Sequence, residues 1–200
     1  MQDKKAKIIE ACKRSFALYG YKGTTIGQVA RLAGIGKGTV YLYFESKEDI
    51  LREIVGQLVG EMIALAEQSL KSGTTLAEKL HNALFNCLMF RKEHAMLAKL
   101  TQEASQFGTE PSAGALAQIE TGLLSYISLK LQKGIETGLI RPVETEVTSY
   151  ALLKLYVALV IDWENHGPRL TNEQSSALLE RYILHGLVPP ATADPSIQIK

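Results

Sequence analysis

The chain has 200 residues, 46% hydrophobic and 22% charged, a balance that excludes a disordered or low-complexity protein and allows one large or two small domains. Its net charge of +1 hides an uneven spread. Residues 1–47 carry nine basic and three acidic side chains, +6, which leaves −5 on the remainder. A basic head on an acidic body points to a polyanionic partner for the head. The most apolar run, Ala151 to Ile161, contains Lys154 and falls well short of the roughly 20 residues a membrane span needs. The polar start, Met1-Gln-Asp-Lys-Lys, is unlike a secretory signal, so a cytoplasmic protein is expected.

In chain order the sequence predicts helices almost throughout. The first runs from about Asp3 to Leu18, with Ile8, Cys12, Phe16 and Tyr19 on one stripe and Gly20 as its stop. The second begins at Thr25, and Thr25 with Gln28 has the spacing of a capping box. Its expected buried side is Ile26, Val29, Ala30, Leu32 and Ala33, and Gly34 ends it. A short third helix starts near Gly36, with Val40 and Phe44 turned inward. Ser46 caps a long fourth helix that reaches about Leu70, with Glu48 and Asp49 in its first turn to suit the helix dipole. Helices over Leu76–Arg91 and Glu93–Ala104 follow, then a loop over Ser105–Gly114. Ala115 to about Thr137 forms the next helix, with Leu116, Ile119, Leu123, Ile127, Leu131 and Gly134 on its inner stripe and Gly138 at its end. Glu144–Asn165 and Thr171–Gly186 complete the set, separated by Gly167-Pro168. The fold class is therefore all-α.

The informative stretch is Thr24 to Leu51, two short helices joined by Gly34-Ile35-Gly36. The glycines permit a tight turn, and Ile35 between them can fix the angle between the helices. The second helix carries Lys37, Thr39, Tyr41 and Tyr43, small or hydrogen-bonding side chains of the kind a helix needs to enter a major groove. Thr25, Ile26, Val29-Ala30, Ala33-Gly34-Ile35, Gly38-Thr39, Tyr41, Phe44, Lys47 and Leu51 together resemble the TetR family of bacterial transcriptional regulators, over residues 4–52. Gly36 stands where that family often has serine, and Tyr43 where it often has histidine.

The resemblance implies a three-helix DNA-binding domain with a helix-turn-helix over residues 1–46, a helical effector-binding and dimerisation domain over 47–188 and a tail over 189–200. It implies that Thr25 touches a phosphate through its backbone and hydroxyl. Lys37, Gly38 and Thr39 would face the groove, Tyr41 and Tyr43 would reach phosphate or base edges, Lys47 would pair with a phosphate, and Gly36, also among the DNA-binding positions, would lack the hydroxyl contact to phosphate that a serine could make. The function implied is a repressor that binds a pseudo-palindromic operator as a homodimer and is released by a hydrophobic or amphipathic small molecule.

Other signals are weaker. Gly34-Ile-Gly-Lys-Gly-Thr39 glances at a phosphate-binding loop, but Arg31 occupies the position of its first glycine and Gly38 that of the Ser or Thr after the lysine. The four histidines are far apart in sequence, and Cys12 and Cys87 sit among apolar residues as buried thiols, so neither a cofactor nor a metal is expected. In the body, Phe85, Met89, Met96, Leu100, Leu123, Tyr126, Tyr156 and Trp163 are candidates for the wall of an effector pocket, with Glu103 and Arg91 as the charged residues available to a polar end. The helix through Ala151–Ile161 is apolar nearly all round. With Leu178, Leu179, Tyr182, Ile183 and Leu187 of the last helix it would form a four-helix interface with a second copy.

Two alternatives stand beside this reading. One is an enzyme with an appended helix-turn-helix, which would need clustered titratable groups in the body, and the sequence shows none. The other is an interaction module whose basic head binds anionic lipid or an acidic protein without sequence preference.

Overall fold

A stripe of Ile8, Cys12 and Phe16, spaced four residues apart, buries completely and makes α1 (Gln2–Gly23) the spine of the N-terminal part. The computed structural model describes residues 2–160 and 162–187. Beyond α1 it has α2 (Ile26–Ala33), α3 (Lys37–Tyr41), α4 (Lys47–Ser69), α5 (Leu76–Glu93), α6 (Ala95–Phe107), α7 (Glu110–Glu136), α8 (Thr145–Val160) and α9 (Asn172–Leu179). Among the described residues there is no strand, and no helix is long and apolar enough to cross a membrane. The tail at 189–200 and Ile161 lie outside the described residues.

The helices gather into two compact units. The first comprises residues 1–64 and 87–122, the second 65–86 and 123–200. These units divide the chain by packing, whereas the expected boundary at 46/47 divides it by role. In the first unit α1 packs on α2 and α6. Its buried side chains include Val29, Val40, Ile50, Ile54, Leu58, Met96, Leu97 and Leu100. In the second unit α8 contributes Leu152, Leu153 and Tyr156, and α9 with its continuation contributes Leu179, Ile183, Leu184 and Leu187.

Several expectations need correcting. Tyr19 does not continue the α1 stripe but is 56% exposed, because Gly20 at φ 73° and ψ −179° breaks the helix just after it. Leu32 is exposed rather than buried, since the inward face of so short a helix is filled by Val29 and Ala30. The loop expected over 105–114 shrinks to Gly108 and Thr109. Gly108 ends α6 in the left-handed region at φ 57°, and Pro111 falls in the first turn of α7, where its missing N–H costs nothing. The last helix is not uniform either. After α9 the chain passes through a π-type stretch, Glu180–Leu184, and a final turn, His185–Leu187.

The helix expected to be covered all round has two faces in the described structure. Leu152, Leu153 and Tyr156 are buried within the second unit, while Val147, Tyr150, Ala151 and Leu155 are exposed. Of the last-helix residues expected at the interface between copies, Leu179, Ile183 and Leu187 belong to the core of their own unit, Leu178 is half-buried and Tyr182 is exposed.

Candidate nucleic-acid interface

The start of α2 is fixed by a capping box. Thr25 Oγ1 accepts the N–H of Gln28 at 3.3 Å, and Gln28 Oε1 accepts the N–H of Thr25 at 2.8 Å. The same Gln28 oxygen takes the Thr25 hydroxyl at 3.1 Å. The two helices then join through Gly34, at φ 68°, whose N–H reaches Arg31 O while Ile35 N–H reaches Ala30 O. A residue with a Cβ resists that conformation, so Gly34 makes the turn.

Gly36 does not share that role. It caps α3 at φ −72° and ψ 147°, which any residue adopts, and a Cβ built there would meet only Thr39 Oγ1 at 3.9 Å. Around a Cβ at Gly38 there is open space. Nothing inside the protein therefore requires glycine at 36 or 38.

Along α3 the side chains sort by face. Val40 is fully buried and, with Phe44, anchors the helix. Gly36, Lys37, Gly38 and Tyr41 are exposed, as is Thr25, while Thr39 and Tyr43 are half-buried. Lys37 Nζ stands over the Tyr41 ring at 5.8 Å, a cation–π pair one helical turn apart. Leu42 is 82% exposed, the most exposed of the large hydrophobic side chains among the described residues. It was missed in the sequence because an apolar residue between two tyrosines reads as packing. Together these residues make a small convex face of hydroxyls, one ammonium, two aromatic rings and one apolar tip, which suits the floor of a nucleic-acid groove.

Lys47 departs from expectation. Its ammonium does not project as a phosphate-pairing cation but turns back, donating to Tyr21 O at 2.6 Å and Thr24 O at 2.9 Å and lying 4.0 Å from the Tyr21 ring centre. Two carbonyls left by the end of α1 and a π face draw it inward. Burial lowers its pKa, while Cys12, Glu103 and Glu48 act in the opposite sense. Burial also raises the Tyr21 hydroxyl to about 12. Lys47 therefore clamps the corner between α1 and α2. Ser46 and Asp49 close the start of α4 reciprocally, with N–H to side-chain oxygen distances of 3.0 and 3.1 Å.

The residues expected around an effector are divided between the units. Met89, Met96 and Leu100 belong to the first, and Phe85, Leu123, Tyr126, Tyr156 and Trp163 to the second. Met96, Leu100 and Tyr156 are buried, while Phe85, Met89, Leu123 and Tyr126 are half-buried. Trp163 is a correction. It is 42% exposed, its indole N–H donates to Pro168 O at 3.1 Å, and its ring covers Gly167 so closely that a Cβ there would sit 2.6 Å away. It closes a surface turn. In the second unit the Tyr156 hydroxyl lies 3.0 Å from His81 Nδ1 and 3.2 Å from His81 O, and the imidazole stacks on Phe85 at 5.5 Å. Glu103, considered for the polar end of an effector, instead faces α1 and α7.

Comparison with known proteins agrees with the geometry. Residues 8–54 match the family model of bacterial regulatory proteins of the tetR family. The HTH-type transcriptional regulator YhgD of Bacillus subtilis is 41% identical over 92% of this chain and 97% of its own length. A fatty acid metabolism regulator protein of the same organism is 30% identical over 70% of this chain and 74% of its own. Among solved structures, FadR of Bacillus subtilis in complex with stearoyl-CoA superposes with a TM-score of 0.56 at 25% identity, covering 88% of this chain and 94% of its own. A helix-turn-helix with an exposed α3 face, an all-helical body and a relative 41% identical over 97% of its own length identify the chain as a DNA-binding transcriptional regulator of the TetR family.

Proposed function

We propose that this regulator is a cytoplasmic, homodimeric repressor, not an enzyme, that binds a pseudo-palindromic operator and leaves it when a hydrophobic or amphipathic small molecule binds. Residues 1–46 read DNA, and residues 47–188 bind the effector and the second subunit. The carrying observation is the α3 face, with Lys37 and Tyr41 exposed and two glycines, Gly36 and Gly38, that the protein's own packing does not need. Glycine there lets the helix approach the groove closely, with Thr39, Tyr41 and Tyr43 reaching base edges or phosphate. The Thr25 hydroxyl is held by its capping box, so phosphate binding at the start of α2 falls to the N–H groups of its first turn, at the positive end of the helix dipole.

The exposed apolar face of α8, with Val147, Tyr150 and Leu155, together with Tyr182, supports pairing with a second copy. Long-chain acyl-CoA is the first effector class to try, given the stearoyl-CoA bound by a relative. Effector binding would shift α4, which runs from the head into the body, and take the two recognition helices away from the spacing of about 34 Å that adjacent major grooves require.

The test is footprinting upstream of the protein's own gene, followed by fluorescence anisotropy of the protected duplex with added stearoyl-CoA, free fatty acid and aromatic drugs. A two-fold-symmetric footprint released by an amphipathic compound is expected. Release by a small, highly charged metabolite alone would contradict the effector class, and binding indifferent to DNA sequence would contradict operator recognition.

A further inference from the structure

We propose that Glu103, on α6, is a positioning residue for DNA binding that holds the corner between α1 and α2 in its DNA-ready conformation. The proposal rests on DNA binding by the helix-turn-helix, not on dimerisation or on any effector.

At Gly20 the chain leaves helical geometry, and the N–H groups that follow need partners outside the α1 ladder. Glu103 supplies them from more than eighty residues away. Its Oε2 accepts the Tyr21 N–H at 3.0 Å and its Oε1 the Lys22 N–H at 3.2 Å. The carboxylate is itself buried, and the hydroxyl of Ser112, in the first turn of α7, donates to Oε2 at 2.9 Å. A Cβ at Gly20 would collide with Glu103 Oε1. The carboxylate therefore fills the space that a side chain at position 20 would take, and only glycine satisfies both the turn and the close approach.

The carbonyl side of the same corner is bound in the opposite sense. Lys47 donates to Tyr21 O and Thr24 O. The Thr24 hydroxyl donates to Gly20 O at 2.8 Å and lies 2.9 Å from Ser15 Oγ. An anion on the N–H groups and a cation on the carbonyls thus fix the segment 20–24, and the next residue, Thr25, begins the helix that leads into the turn and α3. The direction of this segment sets where α2 and α3 stand relative to α1.

The sign of the effect separates this role from simpler ones. If Glu103 acted only as a charge in a basic DNA-binding unit, removing it would tighten DNA binding by removing repulsion. If it only stabilised the fold, its loss would lower the melting temperature and leave affinity intact well below that temperature. A positioning role predicts weaker binding by a protein that is still folded.

The experiment compares the full-length protein with Glu103→Gln, Glu103→Ala and Ser112→Ala. Binding to a duplex from upstream of its own gene and to a random duplex at low salt is measured alongside thermal melting and helical ellipticity. Glu103→Ala is expected to weaken binding by about tenfold or more, as the loss of charge-assisted hydrogen bonds implies. Glu103→Gln, which keeps one acceptor, should lose less, and Ser112→Ala least. Should the alanine variant fail to fold, the other two carry the test. Wild-type amide exchange at Tyr21 and Lys22 should be slow and should quicken in Glu103→Gln. Wild-type or tighter binding by folded Glu103→Gln overturns the proposal, and so does exchange of these two amides at unprotected rates in the wild type.

Discussion

At residue 47 a side chain expected to meet DNA is bonded to the protein's own backbone. Two charge-assisted hydrogen bonds to carbonyls and a π contact at 4.0 Å make Lys47 part of the fold of the head. Lys47→Met should destabilise the protein on the order of 1.5–3 kcal/mol, read as a lower thermal midpoint. A midpoint equal to wild type would mean that the ammonium faces solvent instead. The opposite pattern belongs to Gly38, where a side chain meets nothing and the backbone is helical. Leucine is the better helix former by roughly 0.8 kcal/mol. Gly38→Leu should therefore melt no lower than wild type and yet bind operator more weakly by tenfold or more. Leu42 and Thr39 should act on base preference, Leu42 through an apolar contact with a thymine methyl and Thr39 through its hydroxyl. Alanine at either position should relax preference at one base pair per half-site by on the order of 1–3 kcal/mol. Uniform weakening on all DNA sequences would contradict that assignment.

The helices themselves were legible where a local signal specifies them. The capping pairs Thr25 with Gln28 and Ser46 with Asp49, and the left-handed stops at Gly34 and Gly138, sit where spacing and residue type indicate. What could not be read depends on residues distant in sequence. No local pattern reveals that Glu103 faces Tyr21, that Lys47 turns inward, or that a glycine such as Gly36 is unneeded by the turn it adjoins. The loop expected at 105–114 failed because Pro111 and Gly114 read as breakers, although proline is tolerated in a first helical turn and an isolated glycine costs only about 1 kcal/mol. The crossing of α4 and α7 is likewise non-local. A Cβ at Gly122 would lie 2.6 Å from Val59 Cγ1, so the helices approach as closely as glycine allows. Gly122→Ala should cost about 1–3 kcal/mol through overpacking, measured by denaturant unfolding, and Val59→Ala in the same chain should recover most of it. Additive losses in the double variant would show that the two positions do not meet.

Across the whole molecule, buried ionisable groups set the pH range of stability. His94 in the first unit and His81 in the second have pKa values held below 6.5 by burial. As pH falls below about 6.5, the unfolded chain takes up protons that the folded chain resists, so stability falls with pH, by at most about 1.4 kcal/mol per pH unit for each histidine. At the alkaline end the sign reverses. Burial lifts Cys12 from 9.0 to about 12 and Cys87 from 9.0 to about 11. Above pH 9 the unfolded thiols lose protons that the folded ones keep, and stability falls again as pH rises. The histidines and thiols should therefore leave the thermal midpoint flat from about pH 6.5 to 9 and lower it on both sides, with Lys47, whose pKa burial lowers, opposing the alkaline decline. The histidine contribution is read over the interval from about pH 5 to 6.5. His81→Gln should reduce the acid limb to the share of His94 and leave the alkaline limb in place, and Cys87→Ala should reduce the alkaline limb to the share of Cys12 and leave the acid limb in place. An acid limb of undiminished slope in His81→Gln would mean that the imidazole protonates in the folded state, with its Tyr156 partner giving way instead of the fold.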